Sequence, residues 1–316
     1  MRFNGQRTRQ IRNTVLLGNI SNVNDISNNG KTNIIDALLA KKDIDFLIVS
    51  TGSSNMEGWN ARGNPNGQEA PDPRILGLNF DRNTMDFQVA DIRTSSLGII
   101  GGETEFREPM LTGEVVHRIR TNNRDRYNDN WTPQAFKFAQ EYAKEHPTRK
   151  VGLVVHGVGG VSLAEWVKES GIVYQNVDNN RLVSRAQVYT DLDEIMKVAL
   201  RRSKKQKADV MIWGCMTTEG YYTGAQVELM KRIIEQYRNE SWGTKDMPML
   251  FCHSTGSSSS TVNRNCDRVA AEVPNVFCIN TDRLSGQRFE PWHYDLASVR
   301  AMGKMYYDAW KAMTED

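Results

Sequence analysis

Residues 45–59 read DFLIVSTGSSNMEGW. Phe46 to Val49 run without a polar break, and the chain then turns through Gly52, two serines and Asn55. A short apolar run closed by turn residues is what a strand buried on both faces requires. Four further segments share this form: KVGLVVHG (150–157), DVMIWG (209–214), MLFCHS (249–254) and NVFCIN (275–280). Between them, residues 133–145, 162–170, 189–206, 222–239, 262–272 and 295–313 carry apolar side chains at helical spacing. Strand followed by helix, repeated, predicts an α/β domain built on a doubly wound, mostly parallel five-stranded sheet with helices on both faces. Such sheets keep their ligands at the carboxyl ends of the strands. Chemistry is therefore sought in the loops that follow these five runs.

Two regions break the rhythm. Residues 1–44 are rich in asparagine and read as an extension containing a helix near NNGKTNIIDALLAKK, ahead of a domain spanning 45–316. The Gly-Lys-Thr at 30–32 imitates a phosphate-binding loop, but that motif needs glycine where Asp25 stands, and a carboxylate there repels phosphate. Residues 57–130 are long, polar and poor in regular signals, an insertion near the site with Trp59, Arg62 and Arg74 available to shape a binding cleft.

Composition narrows the function. A net charge of +2 over 316 residues is too mild to attract nucleic acid or an anionic membrane. The densest basic run, RRSKKQK (201–207), closes a helical pattern, where cations suit the helix dipole. No apolar stretch approaches the roughly 20 residues that span a bilayer. The amino terminus lacks the apolar core of a secretory leader, so the chain is expected to be cytoplasmic, virion-associated or supplied without its leader. The four cysteines form no CxxC pair, so neither a metal site nor a disulfide framework is expected, and no cofactor is called for.

Three loops bear reactive residues. Gly52-Ser53-Ser54-Asn55 places a hydroxyl just past a buried strand, although an N-cap or Asx turn uses the same residues. Serine attacks only when a base takes its proton. FEPWHYD (289–295) offers one: Glu290 stands three residues before His293, where a carboxylate can accept from Nδ1–H and turn Nε2 toward a nucleophile. His156 and His253 also end strands; His117 lies in the irregular region and His146 at a helix end. In HGVGGVSLAEW (156–166) the backbone N–H of Gly159 or Gly160 is positioned to meet an anion.

Taken in order, these blocks resemble the SGNH hydrolase superfamily, and within it the carbohydrate esterases that contain sialate O-acetylesterases and acetylxylan esterases. That group carries G-Q-S-N-M after its first strand, matched by Gly52 to Met56, then G-G-x-S-x-x-x-W, matched by Gly159 to Trp166, and D-x-x-H before its last helix, matched by Glu290 to His293. The resemblance covers roughly residues 45–313. It implies a three-layer SGNH fold, Ser54 as nucleophile, His293 as base and Glu290 as its orienting carboxylate. It further implies an oxyanion hole of the Ser54 N–H with Gly160 or Gly159. Asn55 would tie the turn together and, with Trp59 and Arg74, border a glycan or O-acetylated polysaccharide substrate; Met56 and Trp166 would pack beneath.

Three positions depart from the pattern. Ser53 replaces the glutamine, Glu290 replaces aspartate, and Cys215 stands where W-x-Q-G-E has the glutamine that helps hold the oxyanion. A thiol is a weak donor. Asn263, Ser254 and Ser257 are the nearby polar substitutes. Two functions follow: a serine esterase removing O-acetyl groups from a carbohydrate, and a catalytically impaired glycan-binding or structural protein on the same fold, such as a phage tail component.

Overall fold

A computed structural model describes residues 41–81, 84–94, 97, 103–107, 115–120, 130–158, 163–168, 187–214, 226–254, 259–286 and 291–315. Five strands and one helix come first along the chain: β1 (Phe46–Gly52), β2 (Ile75–Asp81), β3 (Thr84–Val89), β4 (Glu103–Arg107), β5 (Val115–Arg120) and α1 (Gln134–Glu145). The second half alternates strand and helix: β6 (Val151–Gly157), α2 (Gln187–Arg202), β7 (Val210–Gly214), α3 (Gln226–Asn239), β8 (Met249–Cys252), α4 (Ser259–Glu272), β9 (Val276–Ile279) and α5 (Leu296–Thr314).

The main sheet runs β3-β2-β6-β1-β7-β8-β9, parallel throughout except for β3. The five expected strands are its body, and the count rises to seven because the 57–130 region adds β2 and β3 as an edge hairpin. A signal for the hairpin exists: Met85, Phe87 and Val89 alternate with Asp86 and Gln88, and Phe87 is buried while Gln88 and Val89 are exposed. That one-sided pattern suits an edge strand, not a two-faced central one. Strands β4 and β5 pair with each other in a separate two-stranded sheet. The helix expected at 162–170 is a single 3-10 turn at Leu163–Trp166, whose buried ends Leu163 and Trp166 share one face at its three-residue period.

Helices cover both faces. On β1, Leu47 and Val49 join a core with Trp166, Trp213, Tyr237, Trp242 and residues of α2, α3 and α4. Phe46 and Ile48 point the other way, into a core with Tyr142, Tyr307 and Trp310 from α1 and α5. Phe46 stacks on Tyr142 with ring centroids 4.2 Å apart. Strand β1 therefore lies between two cores, which is why its sequence is apolar without alternation. It is also the switch point: the chain adds β6 on one side of β1 and β7 on the other. A crevice opens where the strand order reverses, at the carboxyl end of β1.

Candidate active site

Strands β6, β1 and β7 end in register at Gly157, Gly52 and Gly214. Gly52 has φ +138°, a conformation closed to residues with a Cβ, and a Cβ there would lie 2.3 Å from the Gly214 carbonyl oxygen. A Cβ on Gly157 would lie 2.4 Å from Cγ of Glu57. With these side chains absent, the chain after β1 folds tightly against its neighbours. The Ser53 N–H donates to Gly214 O at 3.2 Å, and Ser54–Glu57 form a 3-10 turn closed by Gly58.

That turn aims Ser54 at His293. Ser54 Oγ and His293 Nε2 lie 2.8 Å apart, with both residues buried. The next residue, Asn55, holds the partner loop from both sides. Its Nδ2 donates to Trp292 O at 2.9 Å, and its Oδ1 accepts from the Tyr294 N–H at 3.0 Å. The peptide groups flanking His293 are thus fixed by the residue adjacent to Ser54, a distance of 239 positions along the chain. The imidazole stacks on Trp59 (centroids 5.5 Å, planes 20° apart), and Trp59 leans on buried Trp131. The imidazole thus meets the Ser54 hydroxyl at Nε2 and the Trp59 indole on its face.

The His293 loop is anchored beyond Asn55 as well. The Tyr294 hydroxyl donates to His253 O at 2.8 Å and meets the Thr281 hydroxyl at 2.6 Å. Asp295 then caps α5, accepting from the Ser298 N–H at 2.8 Å. His253 itself is set between Asp282, 3.1 Å from Nδ1, and Asp267, 2.9 Å from Nε2. Contact with the Cys278 thiol and, against the opposing effect of burial, with Asp267 and Asp282 raises its imidazole to about 10.

Other expected residues are placed as follows. Asn55 uses both polar side-chain atoms on the loop rather than presenting them outward. Arg74 is drawn to Asp72 and the carboxyl end of α1: Nε and a terminal nitrogen donate to the two Asp72 oxygens, and the other terminal nitrogen donates to Ala143 O at 2.7 Å. It lines an open groove of about 890 Å³ between residues 67–74 and α1 whose walls include neither Ser54 nor His293. Met56 and Trp166 are buried. His156 is buried on β6 rather than at the rim, and its carbonyl accepts from the Thr51 hydroxyl. Asn263 clasps the Ser254 backbone, accepting from its N–H at 2.8 Å and donating to its carbonyl at 3.2 Å. Gly159, Gly160, Cys215, Ser257 and Glu290, like residues 1–40, lie outside the described residues. Sequence reasoning missed the Tyr294–Thr281–His253 anchor, for which no motif exists, and the glycines closing β6 and β7, for which G-S-S after β1 was the only hint.

Residues 45–312 match the family model described as carbohydrate esterase, sialic acid-specific acetylesterase. No curated protein matches the chain. A solved protein from Arabidopsis thaliana is similar at TM-score 0.59 and 15% identity, over 85% of this chain and 98% of that one. NanS is similar at TM-score 0.57 and 13% identity, over 87% and 98%. A carbohydrate acetylesterase from Xanthomonas citri gives TM-score 0.54 and 13% identity, over 85% of this chain and 57% of its own length. At such identities the structural likeness is one of fold.

Proposed function

The chain belongs to the carbohydrate-esterase family of sialic acid-specific acetylesterases, and on that premise we propose that it removes O-acetyl groups from a glycan through an acyl-enzyme on Ser54. The observation that carries the proposal is the 2.8 Å approach of Ser54 Oγ to His293 Nε2. As Oγ attacks the acetyl carbonyl, His293 Nε2 takes its proton. The tetrahedral intermediate then collapses with cleavage of the sugar C–O–acetyl bond, and the imidazolium returns the proton to the departing sugar oxygen. Water, deprotonated by the same nitrogen, releases acetate and restores Ser54. Glu290 is assigned the orienting role at Nδ1, and the N–H groups of Ser54 and Gly160, with Gly159 as the alternative, receive the oxyanion.

Asn55 and Trp59 act as positioning residues in this scheme, because their contacts are to the His293 loop and ring. For the sugar, Trp292 offers what the scheme needs. It is 49% exposed immediately beside His293, an aromatic face on which a pyranose ring can stack. The substrate class is an O-acetylated sugar of a glycan, with O-acetylated sialic acid the first to try.

A second reading, a glycan binder with impaired chemistry, rests on Cys215 in the place of the family glutamine. Loss of one oxyanion donor costs roughly 10²- to 10³-fold in rate. Turnover of p-nitrophenyl acetate and of O-acetylated sialic acid by the wild type and by Ser54→Ala separates the two. Hydrolysis abolished by the substitution supports the esterase; hydrolysis that survives it sinks the Ser54 assignment. Glycan binding with no turnover by the wild type establishes the binder.

A further inference from the structure

Away from Ser54, one cluster among the described residues gathers side chains that ligate metals. His253 follows β8, Asp267 and Cys266 lie on α4, and Cys278 lies on β9, so no short spacing in the sequence announces them. A ring nitrogen of His253, a carboxylate oxygen of Asp267 and Sγ of Cys278 all lie within 4.8 Å of one another. We propose that these three side chains bind a zinc ion at the β8–β9 edge, with Asp282 orienting the imidazole and solvent filling the fourth position.

Four observations support the site. First, the ring nitrogens of His253 face different carboxylates, Nε2 toward Asp267 at 2.9 Å and Nδ1 toward Asp282 at 3.1 Å. Without metal the ring meets both carboxylates only by carrying a proton on each nitrogen, a position at Nε2 that a metal ion can take instead. Metal on Nε2 leaves Nδ1–H to donate to Asp282. A ligating histidine almost always makes that second bond, which fixes its tautomer and strengthens it as a ligand. Second, the donor set is one imidazole, one carboxylate and one thiol. Sulfur and imidazole nitrogen suit zinc, whereas magnesium and calcium take oxygen. Third, the spacing is close to what is needed. Tetrahedral zinc with ligands at about 2.0–2.3 Å separates its donors by roughly 3.3–3.8 Å. The Nε2–Oδ1 pair, at 2.9 Å, must open by about 1 Å or less, and Sγ lies no more than 4.8 Å from the other two donors, within the reach of side-chain torsions. Fourth, an entry path exists: the His253 side chain is 5% exposed, but that of Asp267 is 56% exposed. The ion would enter past Asp267 and keep a water on that side.

The zinc would tie the carboxyl ends of β8 and β9 to the middle of α4. It would also steady the His253 carbonyl, which accepts from Tyr294, the neighbour of His293. The inference does not depend on the esterase chemistry, since no ligand belongs to the Ser54–His293 pair.

The test uses the tag-free full chain, stripped with chelator and titrated with Co²⁺ and Zn²⁺. One equivalent of Co²⁺ should bind with a thiolate-to-cobalt charge-transfer band and four-coordinate visible bands. Cys278→Ser should abolish the charge-transfer band. Asp267→Asn, a change on an exposed side chain that is expected to leave the fold intact, should weaken Zn²⁺ by at least about 100-fold, and Asp282→Asn by about 10- to 100-fold. Stoichiometric binding that survives both Cys278→Ser and Asp267→Asn overturns the site. So does a His253 ring that keeps both N–H protons by NMR with zinc in excess, since that identifies an imidazolium clamped between carboxylates instead.

Discussion

Two buried histidines lie near the carboxyl edge of this sheet, and their surroundings prepare them for different work. His293 meets a serine hydroxyl at Nε2 and an indole face at Trp59. His253 meets a carboxylate at each ring nitrogen and a thiol besides. A serine hydroxyl at Nε2 suits the proton exchange proposed for His293. Two anions commit a ring to holding positive charge, whether from a proton or from a metal ion. Both rings are buried, and the proposed Glu290 would give His293 one carboxylate, at Nδ1, against the two around His253. Tyr294 joins the two, with its backbone beside His293 and its hydroxyl on the His253 carbonyl.

The comparison breaks most sharply at its first member. Ser54→Ala and His293→Ala should each lower kcat on p-nitrophenyl acetate by roughly 10⁴- to 10⁶-fold with the fold retained. His253→Gln should instead cost about 1–3 kcal/mol of stability, read as a lower Tm, and leave kcat within about tenfold of wild type. If His253→Gln abolished turnover in folded protein while His293→Ala spared it, the roles drawn from the partners would be reversed.

What was legible in the sequence follows the same division. Strands β1, β6, β7 and β8 were readable because they are buried on both faces, and β9, at the sheet edge, because it keeps the same short apolar run. Ser54 and His293 were singled out because a nucleophile and its base need particular residue types at strand and helix boundaries, and the structure sets the two side chains 2.8 Å apart. The β2–β3 hairpin was passed over because it sits inside a long polar stretch and its edge strand β3 buries only Phe87 while Gln88 and Val89 stay exposed. The His253 cluster was invisible because its members meet only after three elements pack, and packing leaves no spacing in the chain. Arg74 was misleading for a related reason: an exposed-looking arginine in a polar segment carries no sign that its donors will be spent on Asp72 and on helix carbonyls.

Asn55 and Tyr294 test how far positioning matters between the two histidines. Asn55→Ala removes both hydrogen bonds to the His293 loop and should lower kcat by about 10- to 100-fold with KM little changed, because a shift near 1 Å in the base is enough for that. A matching rise in KM would point to substrate contact by Asn55 instead. Tyr294→Phe removes only the hydroxyl. It should cost about 1 kcal/mol of stability and change kcat by less than Asn55→Ala, since Thr281 also donates to the His253 carbonyl.

The smallest effect on kcat concerns the ion pair of Glu69 and Arg300, and it separates stability from chemistry. Glu69, almost fully buried, takes two bonds from Arg300 of α5, at 2.6 and 2.8 Å, and one from the Asn64 N–H at 2.7 Å. Burial pushes the carboxyl up, but Arg300 and Asn64 together outweigh it and hold it below its ordinary value of 4.5. A depressed carboxylate stabilises the fold fully above the unfolded value and loses that contribution as pH falls through the lower folded value. Wild-type Tm should therefore drop as pH is lowered below about 4.5. Glu69→Gln should lack that component of the acid dependence, and at neutral pH it should cost about 1–3 kcal/mol, because Arg300 keeps its charge without its partner. Its kcat at 25 °C should stay near wild type. A kcat that fell in step with Tm would mean that the segment holding Trp59 and the chemistry at His293 respond to one anchor, and the sharp line between the two histidines would blur into a single stability effect.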